Sequence, residues 1–203
     1  MGLLKISQIL LVIMVLLYAS GLAASSLKTS SVILTDSKGY YSLGQYIEYY
    51  EDKTGILTID EISSKDSLVE FKTSNSDIPN FGLTSSVYWI RVNFLYSPRD
   101  RWLEKQWFIE LAYPLIDTVE VYERDVAGAF VLTNLGDDLP FYMREVEYTN
   151  FVHPMTTLPQ QSKTVYLKVK TRLGLQVPLR IWAPSDFLER VNARQFAVGL
   201  FYG

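Results

Sequence analysis

Val87-Tyr88-Trp89-Ile90-Arg91-Val92-Asn93-Phe94-Leu95 is the stretch that decides the fold class. β-Branched and aromatic residues dominate it, and these fit a pleated, half-buried surface. Side chains alternate across a strand. Tyr88, Ile90, Val92 and Phe94 therefore share one wholly apolar face, while Trp89, Arg91, Asn93 and Leu95 share a mixed one. The pattern predicts a central strand with one side on a core and the other toward water, a groove or a ligand.

Working outward, Gln106–Ala112 and Asp117–Glu123 read as further strands, the latter with Val119 and Val121 on one face. Ala129–Leu132 follows the turn Ala127-Gly128, residues 147–152 read as extended, and Thr164–Lys170 alternates with Val165, Leu167 and Val169 inward. Val177–Trp182 is a last strand, with Pro178 at an edge or a strand start. Upstream, Ser25–Ser37 reads as loose chain or a first edge strand around Val32–Leu34, Gln45–Asp52 as a strand running into a turn, and Leu68–Lys72 as a strand. Thr58-Ile59-Asp60-Glu61 matches a capping box and predicts a short helix. Asn75, Asp77, Pro79, Asn80 and Gly82 mark Ser74–Leu83 as a loop, and Gly136–Pro140 is another. Strands recurring between turn signals, with almost no helix, predict an all-β sandwich or jelly roll whose two sheets share a core.

The two ends read differently. In residues 1–24, Lys5 is the only charge, Ile9–Leu17 is unbroken apolar sequence, and Gly21-Leu22-Ala23 offers small residues to a signal peptidase. The segment is expected to be a cleaved signal peptide, with the mature chain starting near Ser25. Residues 25–183 are expected to form the β-sandwich, and residues 184–203 a connecting helix. Ser185 is its expected N-cap, with Phe187, Leu188, Val191 and Phe196 at helical spacing. The closing run Phe196–Gly203 is read as the opening of a first transmembrane helix.

At 203 residues, 48% apolar and 20% charged, the chain can bury the core of one domain. A net charge of −3 gives no electrostatic footprint for nucleic acid. With no cysteine, disulfides, thiolate metal sites and a cysteine nucleophile are excluded. The single histidine, His153, rules out a multi-histidine metal site.

Several motifs together resemble a known family. They are Gly82-Leu83-Thr84-Ser85-Ser86 running into Val87–Arg91, then Glu110-Leu111-Ala112-Tyr113-Pro114-Leu115-Ile116-Asp117 with Val119-Glu120-Val121-Tyr122 after it. Further on come Gly136-Asp137-Asp138-Leu139-Pro140-Phe141 with Arg144, Asn150-Phe151-Val152, and Val177-Pro178-Leu179 with Trp182. Their order, over roughly residues 43–203, resembles the extracellular (periplasmic) sensor domain, second type, of bacterial seven-transmembrane receptors with diverse intracellular signalling modules. His153-Pro154 departs from that pattern, where an apolar residue is expected. The resemblance implies a jelly-roll β-sandwich like those of carbohydrate-binding modules. It also implies a periplasmic domain of an inner-membrane protein, membrane helices after residue 203, and a cytoplasmic output such as a histidine kinase or diguanylate cyclase.

The candidate chemical groups each have a plainer reading as well. Trp89 and Arg91 could stack on and hydrogen-bond a sugar, or Trp89 could fill a core while Arg91 pairs with Glu110 or Asp117. Glu110 and Asp117 could be a glycosidase pair, but Pro114 interrupts the segment between them and nothing else supports hydrolysis. Asp137 and Asp138 read as a solvated loop ahead of a Ca²⁺ site, and His153 as structural. The ligand-binding set expected from the chain is Trp89, Arg91, Asn93, Asp117, Arg144 and Trp182. The expected ligand is a carbohydrate or another small polar molecule. No catalytic residue, metal or cofactor is expected, and a homodimer is left open. A secreted carbohydrate-active enzyme and an envelope protein-binding module are the alternatives.

Overall fold

The computed structural model describes residues 31–64, 68–99 and 103–202, with the side chains of the last helix described as far as Arg194. The expected signal peptide and the side chain of Phe196 lie outside the described residues. In chain order the strands are β1 (Ser31–Leu34), β2 (Tyr40–Ser42), β3 (Glu48–Asp52), β4 (Lys72–Thr73), β5 (Asn80–Leu83), β6 (Val87–Tyr96) and β7 (Lys105–Leu111). They continue with β8 (Thr118–Arg124), β9 (Phe130–Leu135), β10 (Phe151–Thr157), β11 (Ser162–Lys170), β12 (Gly174–Gln176) and β13 (Leu179–Trp182). The helices are α1 (Ile59–Ser63) and α2 (Pro184–Tyr202).

The larger sheet runs β4-β3-β6-β11-β8-β9, and the smaller runs β10-β7-β13-β2. β6 sits inside the larger sheet because both its edges are taken. β11 pairs along one edge, while β3 and the parallel β1 share the other, β3 beside Val87–Arg91 and β1 beside Asn93–Tyr96. The period-two pattern of the sequence predicts the inward face correctly. Tyr88, Ile90, Val92 and Phe94 meet Val119 and Val121 of β8 and Val165, Leu167 and Val169 of β11 in one core. Trp107, Ile109 and Leu111 of β7, with Leu179 and Ile181 of β13, close that core from the smaller sheet. The fold is an all-β sandwich, as the strand pattern predicts.

Each sheet also carries a smaller apolar cluster on its outer face. Val87, Trp89 and Tyr166 lie under Ile62 on the larger sheet. Val152 and Trp182 lie with Tyr148 and Phe187 on the smaller. The mixed face of β6 is therefore not open along its length, contrary to the reading from alternation alone.

Local differences have local causes. Of the expected strand Leu68–Lys72, only Lys72 enters a ladder, in β4. Val69 and Phe71 instead pack against the outer cluster that holds Trp89, so their alternation marks a buried side and not a strand. The expected loop Ser74–Leu83 ends in β5, which pairs with β12. The extended segment begins as a strand only at Phe151. The last helix starts one residue before the expected cap. Phe187 N donates to Ala183 O at 3.0 Å, and Pro184 takes the first helical position, which suits its fixed φ and missing N–H. Ser185 lies in the first turn, its hydroxyl 3.0 Å from Asp186 Oδ2. No helix among the described residues is long and apolar enough to cross a membrane.

Candidate functional site

The six side chains singled out by the sequence lie in three separate places. Trp89, Arg91 and Asn93 share the outer face of the larger sheet. Trp182 is on the outer face of the smaller sheet. Asp117 and Arg144 belong to loops between strands.

On the larger sheet, Arg91 Nε donates to Glu48 Oε2 at 2.7 Å, and its guanidinium lies 4.1 Å from the ring centre of Phe71. Strand register sets this pair, because β3 places Glu48 directly opposite Arg91. The carboxylate partner is thus Glu48, and neither Glu110 nor Asp117. Asn93 reaches the same Glu48 oxygen at 3.5 Å and accepts from Thr164 Oγ1 at 2.6 Å. Next along the face, Lys168 Nζ lies 3.8 Å from Glu120 Oε2, and Tyr122 donates to the same oxygen at 2.5 Å. Burial and the Glu120 carboxylate together push the Tyr122 phenol above its usual range. Arg91, Asn93, Thr164, Lys168 and Glu120 are all half-buried and form a polar strip in two parts, Arg91, Asn93 and Thr164 in one and Lys168 and Glu120 in the other, with buried Tyr166 between them.

Trp89 lies at one end of that strip, opposite Lys168 of β11, and Lys168 Nζ is 5.3 Å from its ring centre. It is 0% exposed, covered by Leu57, Ile59, Ile62, Val69 and Phe71. No ring face is left for a sugar in this arrangement. Its indole N–H finds no hydrogen-bond partner among the described residues. The covering strap is tied at its start by Asp52, whose carboxylate accepts from Thr54 N at 3.0 Å, Thr54 Oγ1 at 2.6 Å, Gly55 N at 2.8 Å and Leu57 N at 3.0 Å. Burial pushes the Asp52 carboxyl up, but these donors outweigh it and hold it below the usual value. The expected capping box closes the strap's one helix: Glu61 accepts from Thr58 N at 2.8 Å while Thr58 Oγ1 accepts from Glu61 N.

On the smaller sheet, Glu110 is 0% exposed. It accepts from Asn150 Nδ2 at 2.6 Å and from Trp182 Nε1 at 2.8 Å, and Arg180 Nη1 lies 3.8 Å away. Trp182 is a structural donor here, set between Tyr40 and Arg190. A carboxylate sealed in this way cannot flank the bond of a substrate, so the glycosidase pairing of Glu110 with Asp117 does not fit the geometry.

In the loops, Asp117 accepts from Arg172 N at 2.6 Å and from Arg172 Nη2 at 3.1 Å, which holds its carboxyl below the usual range. Arg172 also lies 3.5 Å from Asp138. Arg144 donates to Tyr148 O at 3.2 Å, lies 3.8 Å from Asp137 and packs over Phe151. All three of these aspartates thus face a guanidinium. His153 is buried between Glu145 at 3.1 Å and Glu123 at 3.8 Å, and Glu123 also pairs with Lys163 at 2.8 Å. His153 of β10 and Glu123 of β8 thus meet in a buried polar cluster between the two sheets. No group of three or more His, Asp or Glu side chains among the described residues is placed to hold a metal ion.

The family model for the 7TMR-DISM extracellular 2 domain matches residues 44–183, more than half of the chain. The chain belongs to this family. No curated protein matches it. The 7TMR-DISM extracellular 2 match runs from the turn before β3 to the residue after β13, and α2 begins at the next residue. It therefore contains both the polar strip and the Glu110 cluster. Sequence reasoning did not find Glu48, Glu120, Lys168 or Thr164. Each lies in a stretch legible as a strand, but only register says which of them stand beside Arg91 and Asn93.

Proposed function

We propose that this chain is the periplasmic ligand-sensing domain of an inner-membrane signalling receptor, and that it binds a small polar ligand, a carbohydrate foremost, on the outer face of the larger sheet. Membership of a family of extracellular receptor domains supports the sensor role. The observation that carries the reading is that Arg91, Asn93, Thr164, Lys168 and Glu120 are polar, half-buried and on one outer sheet face. Trp89 is the floor beneath one end of that strip and not a stacking platform. Asp117, Arg144 and Trp182 hold neighbouring structure in place and make no part of the contact surface. A signal peptide ahead of the domain, membrane helices after it and a kinase or cyclase output belong to the same reading. A ligand acts on such a receptor only through its different affinity for two states. β13 leads directly into α2, which gives the domain a covalent route toward the membrane.

Titration calorimetry of the exported chain against a panel of mono- and oligosaccharides tests this. Binding in the micromolar to millimolar range, about −8 to −4 kcal/mol, is expected for a few charge-assisted hydrogen bonds. Lys168→Ala should weaken it about tenfold with the melting temperature unchanged. Binding that survives both Lys168→Ala and Asn93→Ala at full strength would place the ligand elsewhere.

A further inference from the structure

We propose that β9 is the surface on which a second copy of this chain docks, the two β9 edges pairing antiparallel about a two-fold axis at Leu132. The edges of the two sheets are not alike. The far side of the larger sheet ends in the two-residue β4 and the four-residue β1. The smaller sheet ends in the three-residue β2 and in β10, which carries Pro154. Short strands and proline are the usual means of keeping an edge unpaired. β9 has neither. Phe130-Val131-Leu132-Thr133-Asn134-Leu135 is six residues long, uncharged and free of glycine and proline. Val131 and Leu132 on it are 47% and 46% exposed.

The backbone is set for addition. Asp125 N donates to Ala129 O at 2.9 Å at the head of the β8–β9 hairpin. An antiparallel ladder alternates from there, so Val131, Thr133 and Leu135 turn their amides toward β8. The amides and carbonyls of Phe130, Leu132 and Asn134 turn out of the sheet. An axis at Leu132 then opposes Leu132 to its own copy, Val131 to Thr133 and Phe130 to Asn134. The two side chains of each opposed pair lie on the same face of the joined sheet, and no charge meets a like charge, as an isologous contact requires.

The choice of a second copy, over another extended segment, rests on the membrane-receptor reading above. A continuous antiparallel sheet needs its two-fold axis perpendicular to the strands' plane, so both copies keep the same face up. α2 packs on the outer face of the smaller sheet through Phe187. Both copies of α2 thus fall on the same side, as two chains anchored in one membrane must.

The chain has no cysteine, so an introduced one is its only thiol. Leu132→Cys should cross-link to its copy in the envelope of expressing cells, because directly opposed Cα atoms about 5.5 Å apart are within disulfide reach. The yield should exceed that of Lys53→Cys, an exposed position away from β9, at least tenfold. Leu132→Lys should weaken association of the purified chain at least tenfold in sedimentation, with its melting temperature unchanged. Equal cross-linking at positions 132 and 53 would overturn the proposal, as would undiminished association of Leu132→Lys. If Leu132→Lys melts lower, the cysteine comparison alone decides. Neither arm uses a ligand, so failure of sugar binding and failure of this interface are separate results.

Discussion

Two buried indoles differ in their hydrogen bonding, and a conservative substitution reads the difference. Trp89 is 0% exposed and Trp182 is 7% exposed. Trp182 Nε1 donates to the sealed carboxylate of Glu110 at 2.8 Å, whereas Trp89 Nε1 has no partner among the described residues. Replacing either by Phe removes ring volume, which costs about 1–2 kcal/mol in a packed cluster. Trp89→Phe should cost no more than that. Trp182→Phe also deletes a hydrogen bond to a charged group and leaves Glu110 short of a donor, adding about 1.5–3 kcal/mol. The gap between the variants should be about 2 kcal/mol, or about 4–8 °C in melting temperature for a domain of this size. Urea unfolding by linear extrapolation, with the slopes compared, measures it. In a Glu110→Leu background the extra cost of Trp182→Phe should disappear, since the pair no longer exists to couple. Equal losses for the two single variants would refute the reasoning: either the Trp89 indole has an acceptor, or Glu110 does not depend on Trp182.

Other expectations follow from the same geometry. Gly136 sits at φ +117°, and a Cβ there would collide with Asp117 O, so Gly136→Ala should lower stability by about 2 kcal/mol and disturb the Asp117–Arg172 pair, as seen by thermal melting. The Asp52 carboxyl is held below its ordinary value of 3.8, so its contribution is complete above that pH and is lost as pH falls through the lower folded value. Tryptophan fluorescence of the strap over Trp89 should stay constant from about pH 7 to 5, then change below about pH 4, and Asp52→Asn should abolish that acid step. Thr58→Ala removes the cap of α1 and should cost about 1 kcal/mol, measured by urea unfolding.

The sequence by itself determined the all-β class, the central strand and its inward face. A side-chain period of two shows which residues of β6, β8 and β11 look the same way, and β-branched and aromatic content marks them as strands. The capping box at Thr58 and Glu61 was legible because both partners lie within one helical turn. The family was legible because its motifs are carried in order along the chain. The outward face was not. Alternation separates Trp89, Arg91 and Asn93 from the core, but does not reveal that Ile62, Val69 and Phe71 return to cover one of the three. The partners were hidden for the same reason. Glu48 is 43 residues from Arg91, and Glu110 is 72 residues from Trp182. Such pairs are chosen by strand register and by the packing of one segment over another, and a register slip of one residue would reverse every face. That choice is a property of the whole sandwich, settled only when all strands compete for the same core.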